Sequence, residues 1–460
     1  MDRHNIVFLG ALFITIVAIL PIVSQDTFAW PLGPSRPVET TSQSLRLSVE
    51  NNRVHKFKNN VHQSRHSNEV NYRQGSSGQE PVVFVPGDGG SQLEAKLNKT
   101  SRIHYICDLV SDWYDLWLNI HLLAPVVFDC FSDNMRLHYD KKTRTTKNTE
   151  GVEVRATNFG SLESVDYLDI YHLYGTDYFE TIIATLEKGN GLIRNVDMVG
   201  AAFDFRKAPN ELADYFKNLT LLIEEHYAKN NYKPVTLICH SMGCLNSVYL
   251  LNSKSDSWKK VHIRRLISLG APWSGSFKAI SAMLYGDNLG IPLLNKYKLQ
   301  SLQSSFPSLM YLFPRGPAFP DDRLLVKTPE ENYTLKNLDR MFEKAGLLDQ
   351  KEMWHDTKAI ADSLTAPNVE LWCLFGTGID TPSKIIYSGP IDSGKYEEIQ
   401  GDGDGTVNVE SLRACDMFKD KQKEPVYLVP LSGVDHIAIL RGKDAANFIS
   451  EKILGNDHIH

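Results

Sequence analysis

Three polar side chains far apart in the chain are of the types that nucleophilic acyl chemistry needs. They are a serine in VTLICHSMGCLNSVYLL (235–251), an aspartate in GDGDGTVN (401–408) and a histidine in GVDHIAIL (433–440). A serine hydroxyl is a weak nucleophile until a base takes its proton, and the base needs an acid to orient it. Ser241 follows the β-branched run Val235–Ile238 and precedes an amphipathic stretch. A strand–turn–helix with serine at the turn is a nucleophile elbow, where small residues two before and two after let strand and helix approach. Gly243 fits that rule, and Cys239 stands where a glycine is usual. A plain helix N-cap serine has a similar local composition. The position after a buried strand favours the nucleophile.

Sheets that carry such an elbow order the partners as Ser, then Asp or Glu, then His. Asp402 and Asp404 both lie in the loop where the acid belongs, and spacing does not choose between them. A calcium-type loop would need ligands at alternate positions, a series that Thr406 and Val407 break. His436 sits in the loop entering the last helix. His240 adjoins the serine and should point away from it, and His458 and His460 lie in the terminal tail. The oxyanion would be held by the N–H of Met242, the residue after the nucleophile, and by that of Asp88 in the early loop PGDGGS (86–91).

The elements that must position these groups are legible as apolar runs. PVVFVP (81–86), VTLICH (235–240), HIRRLISLGAP (262–272), VELWCLFGTG (369–378) and PVYLVPLSG (425–433) read as buried strands. Segments 177–188 and 209–229 have helical spacing. Strands alternating with helices imply an α/β protein with a parallel sheet covered on both faces. The hydrophobic fraction of 42% is ample for a core. A net charge of −6, with no basic run, argues against nucleic acid as a partner.

Residues 1–24 read as a secretory signal peptide, with Arg3 and His4 before the apolar run Ile6–Val23. That run is near the lower limit for a membrane span, but Pro21 and the weak charge flank favour cleavage. Residues 25–79 are polar and unpatterned, as in a disordered leader. A folded domain is expected over 80–455. Asn98, Asn218 and Asn332 stand in glycosylation sequons, and entry into the secretory pathway gives the six cysteines meaning.

PVVFVPGDGGSQLEAKL, FDFRKAPNE, ICHSMGC, LISLGAPWSGS, GDGDGTVN and VDHIAIL occur in one order over about 80–455. With these motifs the chain resembles the lecithin:cholesterol acyltransferase family and, within it, the lysosomal phospholipase A2 group. The resemblance implies an α/β-hydrolase fold with a membrane-binding subdomain, about 104–135, and a cap and lid subdomain, about 275–365. It implies Ser241, Asp404 and His436 as the triad, with Asp88 and Met242 as oxyanion amides. The implied activity is phospholipase A and O-acyltransferase chemistry without metal or cofactor, on a phospholipid membrane surface, in the lysosome lumen. The alternatives are a secreted sterol acyltransferase and a non-catalytic lipid-binding protein.

The resemblance also implies disulfides Cys107–Cys130 and Cys373–Cys415, and it leaves Cys239 and Cys244 free. The first bridge would contribute about 3 kcal/mol in a chain-entropy view. It encloses CDLVSDWYDLWLNIHLLAPVVFDC, in which Trp113, Trp117, Leu118, Leu122 and Leu123 are expected to contact lipid. Gly286, Gly290 and Pro292 interrupt the helical pattern where the lid is expected.

Overall fold

β-Branched and aromatic residues concentrate where the chain must be buried on both sides, and those runs form the central sheet. The computed structural model describes residues 80–288, 295–391 and 394–453. The expected signal peptide and polar leader lie outside the described residues, as do Gly290 and Pro292.

Six strands make the sheet: β1 (Val82–Val85), β2 (Met198–Gly200), β3 (Val235–His240), β4 (Ile263–Leu269), β5 (Glu370–Thr377) and β6 (Val426–Ser432). Their spatial order is β6-β5-β4-β3-β1-β2, and every neighbouring pair is parallel. The five expected strands are present. The edge strand β2 was not foreseen, because three residues, MVG, carry no readable period.

Alternation along each strand divides the core in two. Val83, Val85, Leu237 and Cys239 face one cluster, which holds Leu219, Ile223, Leu245 and Val248. Val82, Phe84, Ile238 and Ile267 face the other, which holds Ile182, Ile183, Leu186 and Ile449. The helices supplying these side chains are α1 (Glu180–Asn190), α2 (Ala213–Lys229), α3 (Met242–Asn252) and α4 (Lys443–Ile453). Helix α1 ends at Gly191, whose positive φ of 67° closes the last turn. The starts of the strands are tied by buried Arg265, which donates to Glu80 and to the Lys452 carbonyl.

Two small additions flank the sheet. Leu93–Asn98 pairs antiparallel with both Val110–Trp117 and Val152–Ala156. A second sheet joins Val326–Lys327, Asn332–Tyr333, Ile379–Tyr387 and Tyr396–Gly403. Part of this second sheet therefore comes from 379–403, a hairpin inserted between β5 and the aspartate loop. Asn98, Asn218 and Asn332 are all exposed. Among the described residues no helix is long and apolar enough to cross a membrane.

All six cysteines are paired: Cys107–Cys130, Cys373–Cys415 and Cys239–Cys244. The first two are the bridges expected from the resemblance. The third corrects the expectation that Cys239 and Cys244 are free. Cys239 lies on the face of β3 that meets α3, and Cys244 lies in the first turn of α3. The sharp reversal between them brings their Cα atoms to 5.0 Å, inside the range a disulfide needs. Unreduced, denatured protein is expected to show no thiol with a thiol-reactive chromophore. Thiols recovered at Cys239 and Cys244 would return the pair to the free state.

Candidate active site

Ser241 lies between the end of β3 and the start of α3 with φ 52° and ψ −129°, a region that residues with a Cβ seldom occupy. Such a conformation persists only where its surroundings over-determine it. Here the Ser241 N–H still donates to Leu269 O at 2.9 Å, so the residue is held as an extension of the sheet. A Cβ on Gly243 would run into the Pro86 carbonyl, and one on Gly87 would lie 2.7 Å from the Ser241 Cβ. Both glycines are therefore required for the loop after β1 to close over the elbow.

The chain ends at these strands bring the other two groups to the serine. His436 Nε2 is 3.0 Å from Ser241 Oγ, and His436 Nδ1 is 2.7 Å from Asp404 Oδ2. The other Asp404 oxygen accepts from the N–H groups of Thr406 at 3.0 Å and Val407 at 2.7 Å. The His436 N–H donates to the Asp404 carbonyl, so the two loops are also joined through backbone. All three side chains are buried. Asp402, the other aspartate that spacing had left open, accepts from Gly378 N–H and holds the turn after β5 instead. With Asp404 keeping the proton on Nδ1, Nε2 is left to accept from the serine.

Met242 opens α3, so its N–H has no acceptor within its own helix. Asp88 stands beside Gly87 in the facing loop. Three contacts fix that loop: Gly87 N–H to Tyr178 Oη at 3.0 Å, Trp117 Nε1 to Gly89 O at 2.8 Å, and Phe203 N–H to Ser91 Oγ at 3.1 Å. Asp88 is exposed as a residue, although nearby protein groups desolvate its carboxyl. Desolvation there pushes its carboxyl up to about 7; the Gly89 amide opposes the shift and the charge of Asp287 adds to it.

The sequence that builds this site matches a known protein family. The model described as lecithin:cholesterol acyltransferase matches residues 113–362 and 349–443. The chain belongs to the lecithin:cholesterol acyltransferase family. It is 40% identical over 375 residues to the Rattus norvegicus protein named lysosomal phospholipase A and acyltransferase, covering 81% of this chain and 90% of that one. The human protein of the same name is 38% identical over 376 residues, covering 82% and 90%. The Gallus gallus phosphatidylcholine-sterol acyltransferase is 39% identical over 362 residues, covering 78% and 86%.

In this family member, part of the expected lipid-contact set is turned inward. Leu123 is 7% exposed and packs in the core, which corrects its assignment to a lipid-facing surface. Trp117 is part-buried, bonded to Gly89 and packed on Phe131 and Phe205, so it braces the loop after β1. Trp113 lies under the Arg155 guanidinium, 3.9 Å from the ring centroid. Leu118 and Leu122 are part-buried against the core. The exposed apolar side chains around the Cys107–Cys130 loop are Ile103, Tyr105, Val110 and Val126. The strand Val110–Trp117 carries the two tryptophans and the short helical turn Ile120–Leu123 carries Leu122 and Leu123, so the apolar run read without its elements could not reveal which side chains turn inward.

A second buried network, not foreseen from sequence, lies under the triad. His240 points away from Ser241 as expected. Its Nε2 is 2.9 Å from the His436 carbonyl, an acceptor, so Nε2 carries the proton. Its Nδ1 then accepts from Tyr178 Oη at 2.5 Å, and that oxygen accepts from Gly87. Burial holds the His240 pKa well below the usual histidine range, with the nearby His436 as a lesser cause, and this keeps the neutral tautomer. One chain of hydrogen bonds thus joins the loop after β1, the elbow and the loop of His436.

Two predictions follow from this geometry. Tyr178→Phe leaves Gly87 N–H and His240 Nδ1 without partners, an expense of about 1–3 kcal/mol. The kcat of the variant should fall about tenfold or more with KM retained, measured on a soluble ester. For Asp88, the folded carboxyl binds its proton more tightly than an unfolded one. Both stability and oxyanion binding should therefore be full in acid and be lost as pH rises toward and through about 7. Asp88→Asn should hold activity to higher pH, read from a pH–rate profile; an unchanged profile would remove Asp88 from the acid limb.

Proposed function

We propose that the protein is a serine-dependent phospholipase A and acyltransferase of the secretory pathway. The single observation that carries this reading is the unbroken hydrogen-bonded series Ser241–His436–Asp404 at a strained elbow. The relatives named lysosomal phospholipase A and acyltransferase support the choice of substrate class.

In this reading Ser241 Oγ attacks a phospholipid ester carbonyl while His436 Nε2 takes its proton. Negative charge developing on the carbonyl oxygen is met by the N–H groups of Asp88 and Met242. Asp404 stabilises the imidazolium. Collapse expels the lysophospholipid alcohol, which receives the proton from His436, and leaves an acyl-serine. Water or a lipid alcohol such as a ceramide then gives its proton to His436 and takes the acyl group, restoring Ser241.

The segment 104–135 serves as the membrane-binding insertion, with Tyr105, Val110 and Val126, and Ile103 just before it, as the apolar surface toward lipid. Val126 is 77% exposed. The segment 275–365 serves as cap and lid. The charge of Asp287 is felt at Asp88, which supports a segment that comes near the loop after β1. The exposed asparagines of the three sequons, together with disulfide pairing, fit passage through the secretory pathway to the lysosome lumen. A secreted protein esterifying sterol is the second reading, favoured by the similar identity to the Gallus gallus sterol acyltransferase.

The deciding assay uses phosphatidylcholine liposomes containing either a ceramide or a sterol acceptor, at acidic and neutral pH. Acyl ceramide and free fatty acid formed mainly in acid are the expected products. Ser241→Ala should lower kcat by roughly a million-fold. Sterol ester alone would move the protein to the second reading, and full activity of Ser241→Ala would overturn the mechanism.

A further inference from the structure

A cavity of about 520 Å³ lies away from the triad, and none of Ser241, Asp404, His436 or Asp88 lines it. It forms where the loop after β4, the Pro314–Pro317 turn, helix Leu348–Asp362 and the segment before β6 meet. The volume is in the range of about 300–1,000 Å³ that encloses small ligands. Part of the lining is apolar: Trp273, Trp354 and Phe418 are buried residues that reach the cavity, with Trp273 edge-on to Phe418.

Part of it is cationic. Arg315 is 6% exposed and lines the cavity. Its Nη1 donates to Tyr311 O at 3.4 Å and its Nη2 to Trp273 O at 3.0 Å, both neutral carbonyls. No carboxylate pairs with it among the described residues. The charge of Asp362 reaches it, but that carboxylate is already engaged by Lys358. Lys336 and Lys421 are exposed lining residues and form no ion pair among the described residues. With Asp321 the lining holds two carboxylates against four cations. A buried guanidinium without a counter-ion is unfavourable by several kcal/mol, and it retains donors in a planar fork suited to a carboxylate or phosphate.

We propose that this cavity binds a single-chain anionic amphiphile, its carboxylate or phosphate head held by Arg315 with Lys336 and Lys421, its alkyl chain lying on Trp273, Trp354 and Phe418. The site is separate from the acyl-transfer centre and does not rest on the proposed function. Apolar wall and unpaired cation in one cavity exclude a plain inorganic anion, which would leave the aromatic rings unused, and a neutral lipid, which would leave Arg315 uncompensated.

The test uses full-length protein with Ser241→Ala, so that turnover cannot intrude, and follows tryptophan fluorescence. Decanoate, decyl phosphate, decanol and inorganic phosphate are titrated below their micellar concentrations. Decanoate or decyl phosphate should bind saturably and at least tenfold more tightly than decanol or inorganic phosphate; the tighter of the two identifies the head group. Arg315→Gln and the double variant Lys336→Glu/Lys421→Glu should each weaken that binding at least tenfold. If Arg315→Gln fails to fold by circular dichroism, the exposed lysine pair decides alone. Equal binding of decanol or inorganic phosphate, or unchanged affinity in the folded variants, would overturn the proposal.

Discussion

The site depends on one strained residue. Ser241 can hold a positive φ only because β3 is buried on both faces, bonded to neighbours on both sides, and continued by a helix that starts immediately. Strain of this kind is about 1–3 kcal/mol, an amount a sheet buried on both faces can offset. The same constraint explains the two glycines that let the β1 loop close on the elbow, and the disulfide from Cys239 to Cys244, which links the strand to the first turn of α3 across the strained residue.

The buried network under the triad extends that constraint outward. A hydroxyl nucleophile, its base and its oxyanion donors come from three chain segments that share no local sequence. They stay in register because the buried residues Gly87, Tyr178, His240 and His436 are linked by hydrogen bonds. A neutral His240 suits this role better than a charged one. It can donate on one nitrogen and accept on the other, whereas an imidazolium could only donate. Desolvation, usually a penalty, here selects the protonation state the network needs.

Much of this was legible in the sequence. Five of the six central strands announce themselves as apolar runs, and the order serine, aspartate, histidine follows the order of strands in such sheets. What was not legible depends on side-chain direction or on distant partners. Asp402 and Asp404 differ by one turn of a loop, and only the fold shows that one meets His436 and the other Gly378. Trp117 and Leu123 belong to an apolar stretch whose strand and short helical turn point them inward. Tyr178 is far from His240 in sequence and carries no motif. The Cys239–Cys244 bridge violated no spacing rule; the tight reversal at the elbow creates its geometry.

Asp88 and Arg315 illustrate one physical rule with opposite outcomes. Arg315 is buried and Asp88 is exposed, yet in each the charged form is disfavoured chiefly by desolvation. A carboxyl can relieve that penalty by taking up a proton within the accessible pH range, and Asp88, pushed up to about 7, does so in acid. A guanidinium has no such exit, because it keeps its proton at any pH the protein meets. The compensation for Asp88 is therefore a proton, which would make the loop after β1 pH-sensitive. For Arg315 the compensation must be an anion, which makes its cavity a binding site.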